Sequence, residues 1–151
     1  MLQAWRIVTR RWAETAFDGE GARLYGGRWN SPGHAVVYLA DSRSLAALES
    51  LVHHPGIPDL GYVRFPVRFK SSLVESISTT GLEACIRSLV VAPKTQAVGD
   101  QWLRHSRKPI LKVPSAIIPE EFNYLLNPAH PKFHQIQIEA AEGFAFDPRL
   151  V

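Results

Sequence analysis

An α+β domain of twisted, mainly antiparallel sheets with flanking helices is the fold class this sequence predicts. Three observations predict it. Short stretches of alternating apolar and polar residues recur along the chain, the pattern of half-buried strands. Helical periodicity is clear in only two places, around 43–52 and 95–104. The resulting five or six strands and two helices do not alternate as β-α-β units, which argues against a parallel doubly wound sheet. At 151 residues the chain is sized for a single domain, 1–151, around one core.

The first element is a short strand from Ala4 to Val8, with Trp5 and Ile7 on one face and Arg6 and Val8 on the other. Opposite a core face, Arg6 is either solvated or directed into a cleft. Residues 9–17 are ambiguous. A glycine-rich loop follows, holding five of the chain's ten glycines between Gly19 and Gly33, with Arg23 and Arg28 among them. Val36 to Leu39 reads as a short buried strand. Arg43 to Val52 is the clearest helix: Asp41 or Ser42 caps it, and Leu45, Leu48 and Val52 form its apolar stripe. Glu49 adjoins that stripe, and His53-His54-Pro55-Gly56 ends the helix. Val63, Phe65, Val67 and Phe69 alternate with Arg64, Pro66 and Arg68 in a strand whose proline favours an edge or a bulge. Ser72 to Ile77 is a further short strand, and 79–94 are undetermined. The second helix, Thr95 to Arg104, contains Gly99, which weakens it by about 1 kcal/mol relative to Ala. Ile110 to Ile118 is β-rich but broken by Pro114, just before Ser115. Asn123 to Pro131 is turn-rich, Gln135 to Glu139 alternates with Ile136 and Ile138 on one face, and the stretch from Phe144 covers an edge.

The composition is that of a globular protein, 46% hydrophobic and 21% charged, and argues against disorder. No run is long enough to span a bilayer, and the start lacks the pattern of a signal peptide. One cysteine, Cys85, allows no internal disulfide and fits a reducing cytoplasm; it reads as a small buried hydrophobe. The net charge of +3, from 17 basic and 14 acidic residues, is compatible with an anionic ligand, and no basic block is offered to nucleic acid.

Glycines with interleaved arginines suggest an anion site, because glycine lets a ligand approach the backbone and arginine presents a planar fork of donors. Tyr38 adds an aromatic face and Glu49 a single carboxylate, together a set suited to a nucleotide. The same glycines would equally serve turns alone. Dinucleotide-fingerprint, P-loop and Gly-x-Ser-x-Gly patterns are absent. His130 and His134 have a ligand-like spacing, but Pro131 opposes a helix there, so no metal site is expected.

The blocks Leu24-Tyr-Gly-Gly-Arg-Trp-Asn-Ser-Pro-Gly33, Val37-Tyr-Leu-Ala40, Ala47-Leu-Glu49, Gly99-Asp-Gln-Trp-Leu103, Val113-Pro-Ser-Ala116 and Asn123-Tyr-Leu-Leu-Asn-Pro-Ala-His130 closely resemble the RES domain, in order along nearly the whole chain. The domain is named for an arginine, a glutamate and a serine, which fall here on Arg28, Glu49 and Ser115. Tyr38 matches the family's tyrosine, and Arg6 an additional early arginine. The resemblance implies a fold similar to ADP-ribosyltransferases and a toxin neutralised by an Xre-type helix-turn-helix antitoxin, with which it forms a hetero-oligomer. It implies that NAD is the substrate, with no separate cofactor; the lack of a basic block and of a bilayer-length apolar run leaves no contact with nucleic acid or membrane expected of the toxin alone. It also implies cleavage of the nicotinamide–ribose bond by water or phosphate, or transfer of ADP-ribose to a protein.

The residues suit that chemistry. Nicotinamide leaves as a neutral molecule and needs no general acid, so one carboxylate suffices where an ordinary glycosidase uses two. On the family's pattern Glu49 stabilises the oxocarbenium-like charge and orients a hydroxyl or the nucleophile. Arg28, with Arg6 or Arg23, holds the pyrophosphate. Tyr38 stacks on nicotinamide or ribose, and Ser115 bonds the nicotinamide-ribose end or positions Glu49. Arg23 has a structural alternative, pairing with Glu20 or Glu14. One departure is that many ADP-ribosyltransferases carry the glutamate late and on a strand, whereas Glu49 is early and on a helix. A non-catalytic module with a DNA-binding basic surface is the competing class, and it predicts salt-sensitive DNA binding.

Overall fold

A computed structural model of the chain describes residues 1–53 and 61–150. Eight strands form one curled sheet: β1 Leu2–Thr9, β2 Val37–Ala40, β3 Tyr62–Phe69, β4 Val74–Ser76, β5 Ile110–Pro114, β6 Phe122–Leu126, β7 Gln137–Ile138 and β8 Glu142–Phe144. The helices are α1 Glu20–Tyr25, α2 Arg43–His53, α3 Glu83–Arg87 and α4 Pro93–His105. The strand order is β4-β5-β6-β2-β1-β3-β7, with β8 also on β3. Among the described strands only β4 and β5 are parallel, so the mixed, mainly antiparallel α+β class expected from the sequence is the one observed.

Strand β1 is the seam of this sheet. It pairs with β3 along its whole length, from Leu2 opposite Phe69 to Thr9 opposite Tyr62. Against β2 it pairs only at Trp5 and Ala40. The sheet therefore opens into two wings on either side of that contact. One face carries the main core of Ala4, Val37, Leu39, Val67, Phe69, Ile110, Tyr124 and Leu126, closed by Leu73, Ile136 and Phe17. The other face is covered by helices. Leu45 and Ala46 of α2 pack on Trp5 and Ala40, while Trp102 of α4 and Ile86 of α3 pack on Leu111, Val113 and Leu125.

Several expectations need correcting. Arg6 is not a solvated residue on a polar face, because both faces of β1 are covered and its half-buried side chain bonds two backbone carbonyls. The glycine-rich stretch is not all loop: it contains α1. Asn123 to Pro131 begins as strand β6, since Tyr124, Leu125 and Leu126 are all buried and pair on both sides. Val52 is exposed, so the last turn of α2 stands clear of the sheet, and Ile138 is likewise exposed. Ser42 caps α2, its hydroxyl oxygen accepting from the Leu45 amide at 3.0 Å. Asp41 instead ties β2 to β6 through the Phe122 amide. The helix-ending Pro55 and Gly56 lie outside the described residues. Pro66 is neither at an outer edge nor at a bulge: it sits between the stretches of β3 paired with β8 and β7, where its missing donor is harmless, and its carbonyl accepts from the Glu139 amide.

Candidate functional site

Helix α2 places Glu49 one turn beyond Leu45 and Ala46, the two residues it buries most completely against the sheet. The carboxylate consequently faces inward, with the side chain 23% exposed. Its Oε1 accepts two hydrogen bonds, from Ser115 Oγ at 3.0 Å and from Asn123 Nδ2 at 2.8 Å. Among the described residues its Oε2 accepts no hydrogen bond, and the exposed His53 ring nitrogen stands 4.0 Å from it.

Ser115 is fully buried and follows directly on β5, whose ladder with β6 ends at Pro114 opposite Phe122. Beyond that end its amide bonds the Glu121 carbonyl, and its hydroxyl accepts from the Ile117 and Ile118 amides. Both acceptor positions are thus filled and its single proton goes to Glu49. This is a hydroxyl that positions a carboxylate. Asn123 comes from β6, opposite Ala40 of β2 and Val113 of β5, so its side chain rises on the face that α2 covers. Sequence reasoning missed this residue. The only available signal was its place at the head of the Asn123-Tyr-Leu-Leu block.

Arg6 lies at the seam. Its Nε donates to the Ala16 carbonyl at 2.6 Å and its Nη1 to the Tyr38 carbonyl at 3.0 Å, where β1 and β2 no longer pair. Burial lowers its pKa to about 10, with Asp18 acting in the opposite sense, so the group remains cationic at neutral pH. Tyr38 is two residues along β2 from Ala40, the partner of Asn123. By strand alternation the Arg6 side chain leaves β1 on the face of Ala4 and Val8, whereas Asn123 lies on the face of Trp5 and Ala40 that α2 covers.

The remaining predicted residues are not joined to that cluster by hydrogen bonds. Arg28 donates Nη1 to the Cys85 carbonyl at 3.1 Å and Nη2 to the Ser88 carbonyl at 2.8 Å, binding the end of α3, where carbonyls lack helical partners. Cys85 is only partly buried. Arg23 is exposed and paired with Glu20, the structural alternative to holding an anion. The Tyr38 hydroxyl donates to Asn30 Oδ1 at 2.7 Å and accepts from the Trp29 amide, and burial raises its pKa above the ordinary tyrosine value.

These bonds belong to a clamp around the Gly-Gly-Arg-Trp-Asn-Ser turn. Asn30 is fully buried and its Nδ2 is shared among the Ala22, Ser31 and His34 carbonyls. From α4, Thr95 Oγ1 donates to the Arg28 carbonyl, Gln96 Nε2 to the Gly27 and Asn30 carbonyls, and Asp100 accepts from the Ser31 amide and hydroxyl. The turn's polar groups thus serve mainly to fix its own shape. Tyr38→Phe is expected to leave Asn30 Oδ1 buried without its donor and to lower stability by about 1–3 kcal/mol. Urea unfolding of the two proteins measures this, and an unchanged midpoint would mean the hydroxyl is not part of the clamp.

Comparison with known proteins agrees with this architecture. The family described as the RES domain matches residues 3–147. "Toxin Res" of Yersinia enterocolitica is 39% identical over 152 residues, covering 99% of both chains. "Prs ADP-ribosylating toxin" of a Sphingobium species is 37% identical over 153 residues, covering 97% of this chain and 95% of the other. Among solved structures, the crystal structure of the M. tuberculosis MbcT–MbcA toxin–antitoxin complex matches with a TM-score of 0.75 at 22% identity, covering 95% of this chain and 84% of that one, a likeness of fold.

Proposed function

The chain belongs to the RES domain family, and from that premise we propose that it is the toxin of a toxin–antitoxin pair and cleaves the nicotinamide–ribose bond of NAD. The observation that carries this reading is the single inward-facing carboxylate of Glu49, with Oε1 held by two neutral donors and Oε2 uncommitted to either. A carboxylate so placed stabilises positive charge developing on a ribose ring and needs no acid partner, because nicotinamide departs neutral. Water as acceptor yields ADP-ribose, nicotinamide and a proton; inorganic phosphate yields the phosphorylated sugar instead. Arg6 and Arg28 supply positive charge for the pyrophosphate. An Xre-type helix-turn-helix antitoxin is the proposed partner, and its action is to cover the exposed side of Glu49. No described helix is long and apolar enough to cross a membrane.

A second reading is transfer of ADP-ribose to a protein, favoured by the name of the Sphingobium relative. Product analysis separates the two. Purified protein is incubated with NAD alone, with added phosphate, and with radiolabelled NAD plus cell lysate. Free ADP-ribose or its phosphate supports the first reading; label on a discrete protein band supports the second. NAD left intact in all three mixtures removes both.

A further inference from the structure

The bonding around Glu49 leaves one polar atom unexplained. A carboxylate only accepts, so the Asn123 amide that meets it must present Nδ2, and Oδ1 necessarily points the other way. That Oδ1 is buried and has no donor among the described residues. Buried carbonyl oxygens are nearly always paired, and an orphan calls for an explanation, a catalytic or binding role among them. The atom lies one amide width from the Glu49 carboxylate, on the sheet face that α2 covers. A backbone group does not compete for it, because β6 pairs in register with both β2 and β5 at this position.

We propose that Asn123 contacts the substrate directly: Nδ2 fixes Glu49 Oε1, and Oδ1 accepts a hydrogen bond from a donor on the nicotinamide riboside end of the dinucleotide. This rests on the reading of the site as one that cleaves NAD. The donor is an O–H or N–H group, and two occur at that end: a ribose hydroxyl and the carboxamide NH2. Either one, seated on Oδ1, lies beside the carboxylate that steadies the breaking bond. Asn123 thereby links recognition of the sugar end to the orientation of Glu49. Asp in its place retains an acceptor but sets a second carboxylate against Oε1; such a pair shares a proton on acidification, and the shared proton restores a donor to Glu49.

The test uses the full chain and four variants, Asn123→Asp, Asn123→Leu, Glu49→Gln and the double variant Asn123→Leu with Glu49→Gln, with folding checked by circular dichroism. Asn123→Asp is expected to lose activity at neutral pH and regain it as pH falls, shifting the pH profile to the acid side. Asn123→Leu is expected to lose activity at every pH. Added to Glu49→Gln, it is expected to weaken NAD binding by about tenfold in calorimetry. The deamidated dinucleotide, which carries a carboxylate in place of the carboxamide, identifies the donor. A Leu penalty equal on both dinucleotides assigns the ribose hydroxyl, and a penalty seen only with NAD assigns the carboxamide. If the wild-type chain cleaves NAD while the Asn123 variants keep its pH profile and affinity, the contact is overturned and the site reading stands. If the wild-type chain neither binds nor cleaves NAD, the site reading falls and the contact with it.

Discussion

Glu49→Gln is expected to lower NAD turnover by about 10²- to 10³-fold, the loss seen when one preorganised electrostatic contact to a transition state is removed. The substitution isolates charge from shape. Glutamine keeps an oxygen to accept from Ser115 Oγ and Asn123 Nδ2, so both bonds to that oxygen survive. The side chain is partly exposed in the native protein, and the new amide group at the Oε2 position can reach water. Folding stability is therefore expected to change little. Turnover of NAD by the purified variant, with water and with phosphate, gives the answer directly. Expression in cells without an antitoxin gives a second one: growth arrest and NAD depletion caused by the wild-type chain should both be relieved. Glu20→Gln is the matched control, since Glu20 is an exposed carboxylate in the first turn of α1, paired with Arg23. Should Glu49→Gln retain more than half of the wild-type turnover, the carboxylate does not carry the reaction.

The contrast between what could and could not be read from the sequence follows the range of the interactions involved. Strands β1 and β3 were legible because their alternation is local, although the fold covers both faces of β1 and most of β3. Helix α2 was legible for the same reason, together with its cap, and so was the place of Glu49 beside its apolar stripe. Strand β6 was hidden because asparagines and prolines around Tyr124 resemble a turn; its pairing with two distant strands overrides that local signal. Asn123 was hidden with it, since its meeting with Glu49 spans 74 residues of chain. The glycine-rich stretch shows a different limit. Glycines and arginines that pack against a helix and those that cradle an anion have the same composition. Only tertiary contacts distinguish them: here Arg23 pairs with Glu20, whereas Arg28 gives two donors to helix-end carbonyls and has no carboxylate partner among the described residues. Ser115 was legible through the family pattern, and the structure supplies its neighbour: the break at Pro114 turns the hydroxyl toward Glu49.

Gly99→Ala is expected to destabilise the protein by more than about 3 kcal/mol, against the sign that helix propensity alone dictates. Gly99 lies inside α4, where alanine is normally better by about 1 kcal/mol. A Cβ placed on it would stand 1.5 Å from the Trp29 carbonyl oxygen and 2.7 Å from the carbonyl carbon. Neither atom belongs to a flexible side chain. Relief requires the helix and the turn to separate, and that separation breaks the bonds flanking the contact: Thr95 to the Arg28 carbonyl at 2.6 Å and Ser31 to Asp100 at 2.6 and 2.9 Å. Asp100 is nearly buried, so losing those donors strands a carboxylate. The turn carries Arg28, and its displacement is expected to reduce activity as well as stability. Gly21→Ala tests the opposite case. Gly21 is in α1, where an added methyl group would meet nothing within 4 Å and φ is not positive, so alanine there should stabilise by about 0.5–1 kcal/mol. Chemical unfolding of both variants measures two effects of opposite sign from the same substitution. If Gly99→Ala also stabilises, α4 and the turn do not meet at van der Waals contact, and the clamp that gives the glycine-rich stretch its shape is lost as an explanation.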